Sequence, residues 1–167
     1  MSAQSVAESV VTSIIDYLKV NISTALSEVR VDRDDARVST EVPVNYFIYE
    51  KAAGYKTPAV FVIADSIDFR LDRGPNSINA ELRVIISCLL EDKIAESLTY
   101  KSYRYSDALH KTLDRLHIVD DTAKRKSIVK VQKIDYSLVQ QTKSSQESVF
   151  RKEVMLTCLV EHYEGEN

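Results

Sequence analysis

The stretch Ile78-Asn-Ala-Glu-Leu-Arg-Val-Ile-Ile-Ser-Cys-Leu-Leu90 alternates along its whole length. Ile78, Ala80, Leu82, Val84, Ile86, Cys88 and Leu90 share one side of an extended strand. That side is fully apolar, as the face of a strand lying on a core should be. Asn79, Glu81, Arg83, Ile85, Ser87, Leu89 and Glu91 share the other. This second face is polar at its ends yet carries Ile85 and Leu89 in the middle, which a solvated face does not need. Something covers it, either a helix of the same chain or a partner.

Three further strands surround this one. Val149 to Tyr163 repeats the pattern, with Phe150, Val154, Leu156, Cys158 and Val160 on the core face and Met155 and Leu159 opposite. Pro58 opens a strand from Ala59 to about Phe69, and Arg70 to Asn76 reads as the turn into the 78–90 strand. Ser127 to Val139 is the fourth. Its apolar phase slips between Val131 and Ile134, which predicts a β-bulge near Gln132–Lys133.

Two helices complete the set. Val6, Val10, Ile14, Leu18, Ile22 and Leu26 recur every four residues behind a Ser5-Val-Ala-Glu8 capping box. They predict an amphipathic helix about 33 Å long from Ser5 to Leu26. Asp92 can cap the second, lined by Ile94, Leu98, Tyr105, Leu109, Leu113 and Leu116 and ending near Ile118. A long connection spans 32–57, and Gln140 to Ser148 forms a flexible hairpin loop. The order is α-β-β-α-β-β. It predicts a single α+β domain over 1–167, with two helices on a four-stranded, mostly antiparallel sheet.

Composition agrees. A chain of 167 residues buries about 70% of the surface it exposes unfolded, so neither disulfide nor metal is required. A hydrophobic share of 44% and a charged share of 28% are those of a soluble globular protein. The net charge of −3 gives no global attraction to nucleic acid or to an anionic membrane. The longest apolar run, Ala59 to Ala64, cannot span a bilayer. No basic n-region precedes the first apolar residues, so the reading is a protein without signal peptide in a reducing cytoplasm. Cys88 and Cys158 fall at apolar strand positions and are expected to be buried free thiols.

Signals for chemistry are weak. His110 and His117, read on one helix, stand about 10 Å apart, too far to share a metal. Asp32, Asp34 and Asp35 lack the glycine and glutamate of a calcium loop; Arg37 and Pro43 occupy those places. There is no Gly-x-Ser-x-Gly elbow and no glycine-rich phosphate loop. No catalytic residue, cofactor or metal is expected, and the chain reads as a non-enzyme. Tyr100-Lys-Ser-Tyr-Arg-Tyr105 and Lys124-Arg-Lys126 offer a nucleic-acid surface, against the plainer reading of Tyr105 in the core and the rest at the surface.

The order of elements resembles the tail terminator, or tail-completion, proteins of long-tailed bacteriophages. The likeness runs through the N-terminal helix, Pro58-Ala-Val-Phe-Val-Ile63, Ala80-Glu-Leu-Arg-Val-Ile-Ile86, Tyr105-Ser-Asp-Ala-Leu109, Ile134-Asp-Tyr-Ser137 and Glu153-Val-Met-Leu-Thr-Cys-Leu-Val-Glu161. It implies a non-enzymatic virion protein, assembled in the host cytoplasm as a ring of identical subunits, commonly a hexamer. Such a ring stops tube growth at the head-proximal end of the tail. Its implied partners are copies of itself, the tail tube protein and the head–tail connector protein, with DNA only as passing cargo and no membrane. The long 32–57 connection leaves a neighbouring neck protein open as the alternative. A small cytoplasmic ligand-binding domain using the aromatic cluster as a pocket is the alternative from another class.

The residues themselves support an interface at one point. Ile85, Leu89, Met155 and Leu159 form an apolar patch, exposed if both helices pack on the first face. Head-to-tail contacts would pair it with a different surface, for which Tyr46, Phe47, Tyr49 and Tyr55 are the candidates.

Overall fold

A computed structural model describes residues 3–35, 38–49, 54–70, 77–143 and 148–165. The side chain of Ser5, most of the turn read at 70–76, and the tip of the 140–148 loop lie outside the described residues. In chain order the elements are α1 (Ala3–Arg33), β1 (Asn45–Phe47), β2 (Ala59–Phe69), β3 (Ile78–Asp92), α2 (Ala95–Leu113), β4 (Leu116–Asp120), β5 (Arg125–Tyr136), β6 (Gln140–Lys143) and β7 (Ser148–Glu164).

Among the described residues the sheet has seven strands, not four, and is mixed. Its order is β1-β2-β3-β7-β5-β4, with β6 on β7. The four long strands are the predicted ones, and each is antiparallel to its neighbour. The additions are short. Three residues of the long connection form β1, parallel to β2. The expected end of the second helix is β4, and the base of the expected hairpin loop is β6, paired with the start of β7. Short strands leave too few alternating positions to be read from period, so β1 and β6 read as connection and β4 as helix end.

The helix boundaries shift for local reasons. α1 runs beyond Leu26 because Val29 continues its buried stripe, and Asp34 with φ of 45° ends it. α2 stops before Leu116: Asp114 is extended and Arg115 takes a φ of 59°, which breaks the helical path. The spacing of Leu113, Leu116 and Ile118 imitates a helix across that break. His110 and His117 therefore share no helix; His117 stands on β4. The bulge is where the phase slip put it, with the β5–β7 register shifting between Val131 and Lys133.

Both helices pack on the first face of the sheet. Val6, Val10, Ile14, Leu18 and Ile22 of α1 and Leu98, Tyr105, Leu109 and Leu113 of α2 form one core cluster with Leu82, Val84, Ile86 and Cys88 of β3 and Leu156 and Cys158 of β7. Cys88 and Cys158 are free and buried. The sheet thus has one helix-covered face and one face that no described helix covers.

The long connection is pinned to this layer. Arg104, buried on α2, donates from Nη1 to the Asp35 carbonyl at 2.9 Å and pairs through Nη2 with the Asp35 carboxylate at 3.4 Å. The Tyr105 hydroxyl donates to the Glu41 carbonyl. Sequence places Arg104 at the surface; the structure buries it, because the connection has carbonyls to satisfy and α2 is the element beneath it.

Candidate functional site

The uncovered face is built by alternation. On β3 it presents Arg83, Ile85, Ser87 and Leu89; on β7, Glu153, Met155, Thr157 and Leu159. On β2, Phe61 pairs with Ser87 and Ile63 with Ile85, so they join the same face. Between these strands lies a groove of about 530 Å³, lined among others by Tyr55, Phe61, Ile63, Ile85, Leu89 and Met155. Ile85, Leu89 and Met155 are each partly exposed there.

Leu159 is not part of the groove lining. Its cross-strand partners are Arg83 and Lys130, and Lys130 reaches the neighbouring Glu161 at 3.0 Å. The patch expected from four residues is therefore an apolar groove made with three of them, flanked by charge. Polar groups in the groove answer one another: the Ser87 hydroxyl donates to Glu153 Oε1, and Asp65 lies 3.9 Å from Arg83. At one end of the face Arg151 donates from Nε to Glu91 Oε1 at 2.9 Å, and Thr57 Oγ1 donates to Glu91 Oε2 at 3.2 Å.

The four nominated aromatics divide. Phe47 stacks on Phe61 with ring centroids 5.3 Å apart, Tyr55 meets Phe61 edge-on at 5.4 Å, and Tyr49 lies 5.7 Å from Phe47. This cluster extends the groove on the uncovered face instead of forming a separate, complementary surface. The register with β2 is the reason, since it puts Phe47 opposite Phe61 and Tyr46 opposite core-facing Val60. Tyr46 accordingly turns towards the helices, with Lys19 Nζ 5.8 Å from its ring centroid. Its buried hydroxyl has no hydrogen-bond partner among the described residues, and burial, with Cys88 adding to it, pushes its pKa up to about 12.

A second cluster escaped sequence reading. The Ser127 hydroxyl lies 2.8 Å from Nδ1 of His162, and Nε2 of His162 lies 2.9 Å from Glu164 Oε1. Arg125 Nε approaches the same carboxylate oxygen at 2.9 Å, and its Nη1 donates to Ser9 of α1 at 3.3 Å. His162 is 1% exposed and Ser127 5%. Ser127 and Glu164 between them occupy both ring nitrogens of His162. The group ties β5, β7 and α1 together, and its burial gives the hydroxyl no route to a substrate. The signal was phase: His162 and Glu164 continue the buried alternation of Cys158 and Val160.

The basic stretches do not assemble into a nucleic-acid surface. In the Tyr100–Tyr105 stretch Tyr105 and Arg104 are buried, and Lys101 pairs with Asp92 at 3.2 Å. Lys124, Arg125 and Lys126 border a wide depression of about 850 Å³ shared with Asp120, Asp121 and Glu164, so its charge is mixed. Among the described residues no group of three or more His, Cys, Asp or Glu could hold a metal ion. No described helix is long and apolar enough to cross a membrane.

No family model matches the chain, and no curated protein does. A chain of a solved structure described as "Virion of native gene transfer agent (GTA) particle" is similar over 86% of this chain and 93% of that chain, at 12% identity and a TM-score of 0.33.

Proposed function

We propose that this chain is a structural subunit of a long-tailed phage particle, a tail terminator. It forms a homo-oligomeric ring at the head-proximal end of the tail tube, ends tube growth there and joins the neck. One observation carries the reading: both helices lie on one face of the sheet, leaving an apolar groove with an aromatic rim uncovered on the other. Such a surface calls for a protein partner, and a ring supplies one in the next copy. The resemblance in the order and texture of the elements supports the terminator in particular. In this reading DNA passes as cargo and makes no sequence-specific contact.

The test is direct. Purified protein should form a closed oligomer and, added to polymerising tail tubes of the same phage, shorten them. A strict monomer that leaves tube length unchanged would refute it.

A second reading is favoured by the groove itself, whose volume lies within the range of small-molecule pockets (about 300–1,000 Å³). In that reading the chain is a ligand-binding domain. Saturable binding of a small apolar acid or amine by the monomer, lost on Leu89→Arg, would support it over the ring.

A further inference from the structure

Both sides of the sheet end in partly open strands. β1 covers β2 only from Ala59 to Phe61, so among the described residues no strand pairs with the outer side of Val62 to Phe69. At the other side β4 covers β5 only from Arg125 to Val129, and among the described residues no outer strand pairs with Lys130 to Tyr136. Asp114 Oδ1 closes this second edge at one point by accepting from Val131 N–H at 3.1 Å.

Backbone alternation shows which groups face outward. Arg70 N–H donates inward to Asn79, so Ile67 and Phe69 present theirs to the open edge of β2. Ser137 N–H donates inward to Glu153, so Ile134 and Tyr136 present theirs to the open edge of β5. An open edge of this kind is a template for another strand.

Direction, charge and apolar surface then agree on one occupant. β2, β3, β7 and β5 alternate strictly in direction, so β5 runs opposite to β2. A second copy in the same orientation therefore meets β2 with its β5 antiparallel. On the uncovered face, the β2 edge carries Asp65 and Asp68, and the β5 edge carries Lys130, Lys133 and Asp135, the last 3.0 Å from Lys133. In β5 the register shift falls between the two lysines, and in β2 it falls at Asp65 itself, which turns to Arg83 on the uncovered face, so each pair is spaced three residues apart on one face. The antiparallel register that sets Asp68 against Lys130 also sets Asp65 against Lys133, and opposite charges across a strand pair are favourable. On the helix-covered face, Phe69 is 45% exposed and Tyr136 41%, surface that edge pairing would bury.

We infer that the copies join edge to edge, the open β2 edge of one receiving the open β5 edge of the next in antiparallel register. The sheet then continues from subunit to subunit. The direction of pairing brings the neighbour's Tyr136 end towards Val62. Its 87%-exposed Leu138 follows, beside Phe61 and Tyr55 at the mouth of the groove. This rests on the ring reading and says how the ring is closed.

The test is a disulfide. Asp68 and Lys130 are both exposed, and within one chain their strands are separated by three strand spacings, about 14 Å, beyond the reach of a disulfide. The doubly substituted Asp68→Cys/Lys130→Cys full-length protein should, on mild oxidation, give a ladder of covalent oligomers on a non-reducing gel. Each single variant should give none. A wild-type oligomer by light scattering with no ladder from the double variant would overturn edge pairing and leave the ring standing. A monomeric wild type without a ladder would overturn both. Covalent dimers from Asp68→Cys alone would mean two β2 edges meet, and would also overturn the proposal.

Discussion

Leu156 and Leu89 stand on neighbouring strands and differ by one step of phase. Leu156 is fully buried beneath the helices, and Leu89 faces the groove. Leu156→Ala should cost about 2–5 kcal/mol in urea unfolding, because it empties a site that cannot collapse. Leu89→Ser in the dissociated subunit should cost about 1 kcal/mol or less. Burial is also written into the thiols, which it raises from 9.0 to about 12, with Glu153 adding for Cys88 and Asp114 for Cys158. The folded chain keeps protons that the unfolded chain releases above pH 9. Stability is therefore intact below pH 9 and should fall as pH climbs towards 12. Over the same range the thiols should resist a disulfide reagent until the chain unfolds. Both positions could be read from alternation, because a cysteine between valines and leucines is simply apolar. The same alternation buries His162, but its partners cannot be read from it: Ser127 and Arg125 come from another strand by pairing that no local window contains.

At the level of elements, long strands and long helices announced themselves by period, and short ones did not. β4 is the clearest case, since only the reversal at Arg115 separates it from the helical pattern. That reversal can be tested. Arg115 has a φ of 59° and its side chain is 89% exposed. Arg115→Gly should leave stability unchanged or raise it by up to about 1 kcal/mol, and Arg115→Val should lower it by about 1–2 kcal/mol, in thermal or urea unfolding. The aromatic segment shows a different limit. Its residues were legible as interface material, but the register of β1 on β2 decides which of them reach the groove. That register sends Phe47 to the groove and Tyr46 under α1.

At the scale of the whole molecule, the question raised by Ile85 and Leu89 was what covers the second face. The structure answers for the chain's own helices: neither lies there. The two-layer arrangement follows from amphipathic stripes that each need the same apolar sheet face, and sequence alone does not choose between one helix per face and two on one. With the helices placed, the groove is left open beside the β2 edge, and in the proposed ring the neighbour's Leu138 reaches its mouth as the sheet edges pair. The most direct measurement is the solution mass, by light scattering, of the wild type and of Leu89→Arg over a range of concentrations. The account predicts a closed oligomer for the wild type and a monomer for Leu89→Arg, with unchanged circular dichroism and a similar urea midpoint. A monomeric wild type at every concentration, or a Leu89→Arg protein that keeps the wild-type mass, would contradict it.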